Sequence, residues 1–105
     1  MPGTEKRRFK RRRILVQVGI VYRGDYFYET ACEISEGGML LRVTNEYGVG
    51  DMIEVCFVAD SGDLIEERVE VVYRLKGPYR SEYIGVRFTD ISPDNKKMIH
   101  NLVER

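Results

Sequence analysis

Between residues 14 and 22 apolar side chains fall at every second position, Ile14, Val16, Val18, Ile20 and Tyr22, which is the period of a half-buried strand. Arg23-Gly24-Asp25 predicts a tight turn, and a second alternating stretch runs from Tyr26 to Ile34. Its shared face reads as Tyr26, Tyr28, Thr30, Cys32 and Ile34, with Glu29 and Glu33 pointing the other way. Ser35-Glu36-Gly37-Gly38 then breaks the pattern, because paired glycines permit positive φ and close backbone approach. A third strand is expected over 39–44, followed by a loop over 45–51. Ile53, Val55, Phe57 and Ala59 mark a fourth, and Asp60-Ser61-Gly62-Asp63 a hairpin connection. Ile65, Val69, Val71, Tyr73 and Leu75 mark a long fifth strand, and Ile84, Val86 and Phe88 a sixth after the Gly77-Pro78 loop.

The period then changes. Ser92 can cap free amides and Pro93 is pre-set for a first helical position, so a helix is predicted over about 93–104. Met98, Ile99, Leu102 and Val103 form its apolar stripe, with Lys96 and Lys97 opposite. Six short strands with no helix between them, then one helix, argue for an all-β fold. The expected form is a small six-stranded antiparallel β-barrel whose C-terminal α-helix covers an opening.

The 105 residues fit one domain, and 43% hydrophobic content supports a modest core. No apolar run is long enough to span a bilayer, so membrane insertion is not expected. The basic N-terminus does not read as a secretory signal, and the chain is expected to be cytoplasmic. Cys32 and Cys56 are too few for a disulfide framework; Cys32 reads as a small core residue and Cys56 as an outward free thiol. A lone histidine, His100, excludes a multi-histidine metal site and reads as a surface or packing residue. Nothing resembles a nucleophile beside a base, so no enzyme is expected.

Charge changes the picture. The formal net charge is zero, yet residues 1–13 carry seven basic side chains (Lys6, Arg7, Arg8, Lys10, Arg11, Arg12, Arg13) against Glu5. Residues 14–105 are left with ten basic and sixteen acidic side chains, a charge of −6. A basic, flexible arm over 1–13 on an acidic body, 14–105, seeks an anion and repels extended polyanions. Phe9 is wasted in a solvated tail; an aromatic there suits an anchor to the barrel or a stacking partner for a base.

Arg7-x-x-x-Arg11 followed, after a strand pair, by Ser35-x-x-Gly38 resembles the PilZ domain family. The match continues through Glu33-Ile34-Ser35-Glu36-Gly37-Gly38-Met39-Leu40-Leu41, Ile84-Gly85-Val86-Arg87-Phe88 and the C-terminal helix. The resemblance implies a receptor for the bacterial second messenger cyclic di-GMP, with no other cofactor. It implies that Arg7 and Arg11 clamp guanine edges and phosphates, that Arg8 helps hold phosphate, and that Glu33, Ser35, Gly37 and Gly38 line the far side. The sequence departs from the family pattern at Glu33, where aspartate or asparagine is usual. Arg8-x-x-x-Arg12 fits the same spacing, although the arrangement around Phe9 favours Arg7 and Arg11.

The physical case for the arm is independent of the family. Guanine presents paired O6 and N7 acceptors that an arginine fork matches bidentately and lysine does not. An arm that is mobile when empty and ordered when occupied turns ligand binding into a conformational signal. An unidentified protein effector is the expected partner. Two other readings remain: a PilZ-like interaction scaffold without ligand, motivated by Glu33, and nucleic-acid polymer binding by the arm, which the acidic body opposes.

Overall fold

The computed structural model describes residues 9–104. Six strands, β1 (Arg12–Tyr22), β2 (Asp25–Ile34), β3 (Gly38–Val43), β4 (Met52–Val58), β5 (Leu64–Lys76) and β6 (Glu82–Phe88), precede one helix, α1 (Pro93–Val103). All strand pairs are antiparallel, and they close a barrel in the order β1-β2-β3-β6-β5-β4. The barrel and terminal helix are those the periodicity predicts. β1 begins at Arg12, earlier than the expected 14, because Arg12 and Arg13 find partners in Ile34 and Glu33.

Alternation places Val18, Ile20, Ile53, Val55, Phe57, Ile65, Val69, Val71, Ile84 and Val86 inside, all buried. β2 overturns its expected facing. Tyr26 and Tyr28 lie outside, 53% and 61% exposed, while Glu29 and Ala31 point into the barrel. A bulge between Ala31 and Glu33 then inserts one residue against β3. Since a strand's side chains alternate with period two, that residue returns Ile34 to the core and keeps Glu33 outside. Cys32, at the bulge, is half-buried and does not join the core. A second irregularity in the β5–β6 pairing, between Val71 and Tyr73, ends β5's contribution to the core; Tyr73 and Leu75 are exposed.

Glu29 survives burial because its carboxylate is saturated. Oε1 accepts from the Thr44 amide at 2.8 Å and the Thr44 hydroxyl at 3.2 Å. Oε2 accepts from Asn45 Nδ2 at 3.0 Å and the Tyr47 hydroxyl at 2.5 Å. Without such bonds a buried carboxylate is severely penalised. Burial, and secondly the bond to Glu29, hold the Tyr47 phenol far above its ordinary pKa. The Tyr22 ring packs 5.0 Å from that of Tyr47, and its hydroxyl donates to Asp51 Oδ2 at 2.5 Å. These bonds tie the loop between β3 and β4 across one end of the barrel.

Helix α1 covers the other end. Ser92 Oγ accepts from the Asn95 amide at 3.2 Å, with Pro93 in the first turn, as the sequence predicts. Ile99, Leu102 and Val103 are buried against the barrel, and Asn95 Nδ2 donates to the Glu66 carbonyl and to Glu67 on β5.

Candidate functional site

A cleft of about 540 Å³ opens where the end of β2, the turn into β3, β6, the outer part of β5 and the start of α1 meet. Five residues singled out by sequence, Arg11, Glu33, Ser35, Gly37 and Gly38, border it together. Arg7 and Arg8 lie outside the described residues.

The turn from β2 to β3 is built around Ser35. Its Oγ accepts from the Gly37 amide at 3.1 Å and the Gly38 amide at 3.2 Å, and its own amide donates to the Gly38 carbonyl at 2.9 Å. A serine that bonds amides two and three residues ahead makes a self-contained turn. The turn also presses close to β6: a Cβ on Gly38 would stand 2.0 Å from the Val86 carbonyl oxygen, so only glycine fits. The Phe9 ring lies against Gly37, where a Cβ would stand 2.6 Å from the ring. Phe9 therefore anchors the arm to the barrel at the cleft.

Arg11 reaches across to Glu33, its Nη1 lying 3.3 Å from Oε1. The bulge in β2 makes this contact possible, since it holds Glu33 on the outside at the level of the arm. Arg12 faces away, its Nη1 donating to the Leu102 carbonyl of α1 at 2.7 Å. Of the two arginine registers allowed by sequence spacing, the cleft contains Arg11 and not Arg12.

Tyr73, Arg87 and Lys96 are among the lining residues that the sequence did not assign to the site. The Tyr73 ring covers Gly85, where a Cβ would meet ring carbons at 2.2 Å. Arg87 donates through Nε to Glu70 Oε1 at 2.9 Å, and its Nη2 lies 2.6 Å from the same oxygen. The available signal was Gly85, because a glycine within a strand marks a close approach by another group. His100 also acquires a partner that sequence reading missed. Its Nδ1 lies 2.5 Å from Glu36 Oε2, in the Ser35 turn.

The cleft thus combines two guanidinium groups, an ammonium, two aromatic faces and a tight glycine turn. Such a surface offers bidentate donors to anions and purine edges, together with flat faces for stacking. Among the described residues, no cluster of His, Cys, Asp and Glu is placed to hold a metal ion. No helix among them is long and apolar enough to cross a membrane.

Comparison with solved structures shows the same fold elsewhere. The inhibitor of motility MotI from Bacillus subtilis superposes with a TM-score of 0.85 at 15% identity, over 100% of this chain and 55% of that one. The chain therefore spans about half of MotI's length. The PilZ domain of YcgR from Escherichia coli, solved with c-di-GMP, gives a TM-score of 0.77 at 11% identity, covering 94% of this chain and 89% of that one. PlzA from Borreliella burgdorferi, also solved with c-di-GMP, gives 0.69 at 8% identity, over 97% and 51%. No curated protein matches the chain by sequence. A family model for the PilZ domain matches residues 5–105, nearly the whole length, and on that match the chain belongs to the PilZ domain family.

Proposed function

We propose that this domain is a receptor for cyclic di-GMP that signals by ordering its N-terminal arm. One observation carries the reading: Arg11, Glu33, Ser35, Gly37 and Gly38, separated by up to 27 residues in sequence, border a single cleft. Family membership, and relatives solved with this ligand, support it. Arg7 and Arg11 would clamp guanine edges and phosphates, with Arg8 adding charge to a phosphate. In an extended arm two arginines four residues apart stand roughly 13 Å apart, which suits a cyclic dinucleotide. The Ser35 turn would form the opposite wall, and Tyr73 would offer a face for stacking.

Arg11 must exchange Glu33 for the ligand. An exposed ion pair is worth about 0–1 kcal/mol, whereas hydrogen bonds to charged groups contribute about 1.5–3 kcal/mol each. The ligand therefore wins that competition. The −6 body sets a limit on the anion, favouring a compact diphosphate over a nucleic-acid strand. The domain so described acts by binding, not catalysis, in the bacterial cytoplasm, and passes its signal to a protein effector. Isothermal titration of the purified domain with cyclic di-GMP tests the reading. Low-micromolar binding is expected, and its absence at high micromolar ligand in low salt rejects it.

The Arg11–Glu33 pair also favours a second reading, in which the site is already satisfied internally and the domain serves as a ligand-free interaction scaffold. Glu33→Asp separates the two. If the shorter carboxylate created binding that the natural protein lacks, the scaffold reading would stand.

A further inference from the structure

We infer that helix α1 positions both sides of the ligand cleft from behind, through Lys10, Arg12 and His100, residues outside the recognised motif. The inference rests on the cyclic di-GMP reading and extends it. Its basis is an alternation. In the arm Phe9 and Arg11 line the cleft, whereas Lys10 and Arg12 turn to the other side and grip the end of α1. Lys10 Nζ lies 3.2 Å from Glu104 Oε1, and Arg12 Nη1 donates to the Leu102 carbonyl at 2.7 Å. Across the cleft, Glu36 stands between Ser35 and Gly37 and meets His100 Nδ1 at 2.5 Å. All three contacts fall on the last turn and C-cap of one helix.

That turn is well suited to be an anchor. Leu102 supplies one of the four terminal carbonyls that no helical amide satisfies, at the negative end of the helix dipole. Ile99, Leu102 and Val103 fix the same turn in the core. An arm residue held by this anchor has already lost backbone freedom that the ligand would otherwise have to remove. Lys10 and Arg12 thereby raise affinity without touching the ligand. Simple electrostatics offers the competing account, in which every positive charge near the cleft draws in the anion.

The two accounts predict opposite signs for Glu104→Lys, which adds a positive charge but breaks the grip on Lys10. The test is titration of cyclic di-GMP into wild type, Glu104→Lys, Lys10→Glu, the Lys10→Glu/Glu104→Lys exchange and Arg12→Gln. Backbone order parameters of residues 9–12 are measured on each ligand-free protein. Glu104→Lys is expected to weaken binding about threefold, the exchange to return it to within about twofold of wild type, and Arg12→Gln to weaken it about tenfold. The order parameters should fall in each weakened variant. Tighter binding by Glu104→Lys, no rescue by the exchange, or an unchanged Arg12→Gln would overturn the inference. Should wild type not bind cyclic di-GMP at all, the receptor reading fails by itself and the order parameters decide this one. An arm left as ordered in Arg12→Gln as in wild type overturns it, and a less ordered arm upholds it.

Discussion

Glu29 and Glu33 stand four residues apart on the same strand, and their carboxylates do opposite work. Glu29 is 4% exposed and accepts four hydrogen bonds from the loop beyond β3, whereas the Glu33 side chain is 28% exposed and, among the described residues, meets the half-exposed guanidinium of Arg11. The bulge between them turns one inward and the other outward. Residue type says little here. The number of fixed partners, and the water excluded around them, make Glu29 part of the scaffold and leave Glu33 available for exchange. The two barrel ends differ in the same way. One is fastened by buried bonds around Glu29 and Tyr47; the other is capped by the apolar stripe of α1, and only the cleft and arm beside it carry exposed pairs that can be traded.

The sharpest way to break this comparison is at its buried member. Glu29→Ala leaves the Thr44, Asn45 and Tyr47 donors without their acceptor in the interior, and the expected loss is about 3 kcal/mol or more. In a domain of this size that lowers Tm by about 15 °C in a calorimetric scan. Glu33→Ala, in the same scan, should change stability by less than about 1 kcal/mol. A similar drop from both would erase the distinction.

At the exchanging end the readout moves from stability to binding. Arg11→Ala is expected to weaken cyclic di-GMP by about 1.5–3 kcal/mol in titration, with little effect on Tm. Arg11→Lys should recover little, because a point charge cannot reproduce the fork. Full recovery by lysine would show that charge alone matters.

The smallest effect expected is at low pH. The Tyr22 hydroxyl bond, aided by the Gly48 amide and Arg23, holds the Asp51 carboxyl below the usual aspartate range, against partial desolvation. A group whose pKa is lowered by folding stabilises the native state above its unfolded value. That contribution disappears as pH falls through the lowered folded value. Tyr22→Phe should therefore flatten the acid limb of a Tm–pH profile, while leaving its slope near neutrality alone. The alkaline limb should flatten too, because the same bond raises the Tyr22 phenol above its ordinary value. An acid limb identical to wild type would remove Asp51 from the loop's fastening.

The faces of β1, β4 and β6 and the stripe of α1 were legible because alternation there is unbroken and decided by apolar residues. β2 was not legible. Its tyrosines look like core, and Glu29 looks like surface, until the loop at Thr44–Tyr47 is known to supply the donors. The outer part of β5 failed likewise, since Tyr73 keeps the sequence rhythm but lies past an irregularity in pairing. In the cleft, Arg11, Ser35 and Gly38 were legible from a spacing. Arg87 lies in a stretch that matches the family, yet nothing in that stretch assigns it to the cleft. Lys96 carries no local mark, and the His100–Glu36 contact joins residues 64 apart, which no short-range pattern can show.

The bulge in β2 has a consequence for how such a domain can vary by descent. Exchanging one side chain for another at Glu33 alters a contact and leaves the architecture alone. Losing a single codon at Cys32 would remove the spare residue and restore plain alternation, leaving Ala31 and Ile34 inside and Glu33 outside. Gaining one residue between Ala31 and Glu33, with the bulge unchanged, would instead turn Glu33 to the core and Ile34 to the water. Around this site the chain has room to shorten by one residue and none to lengthen.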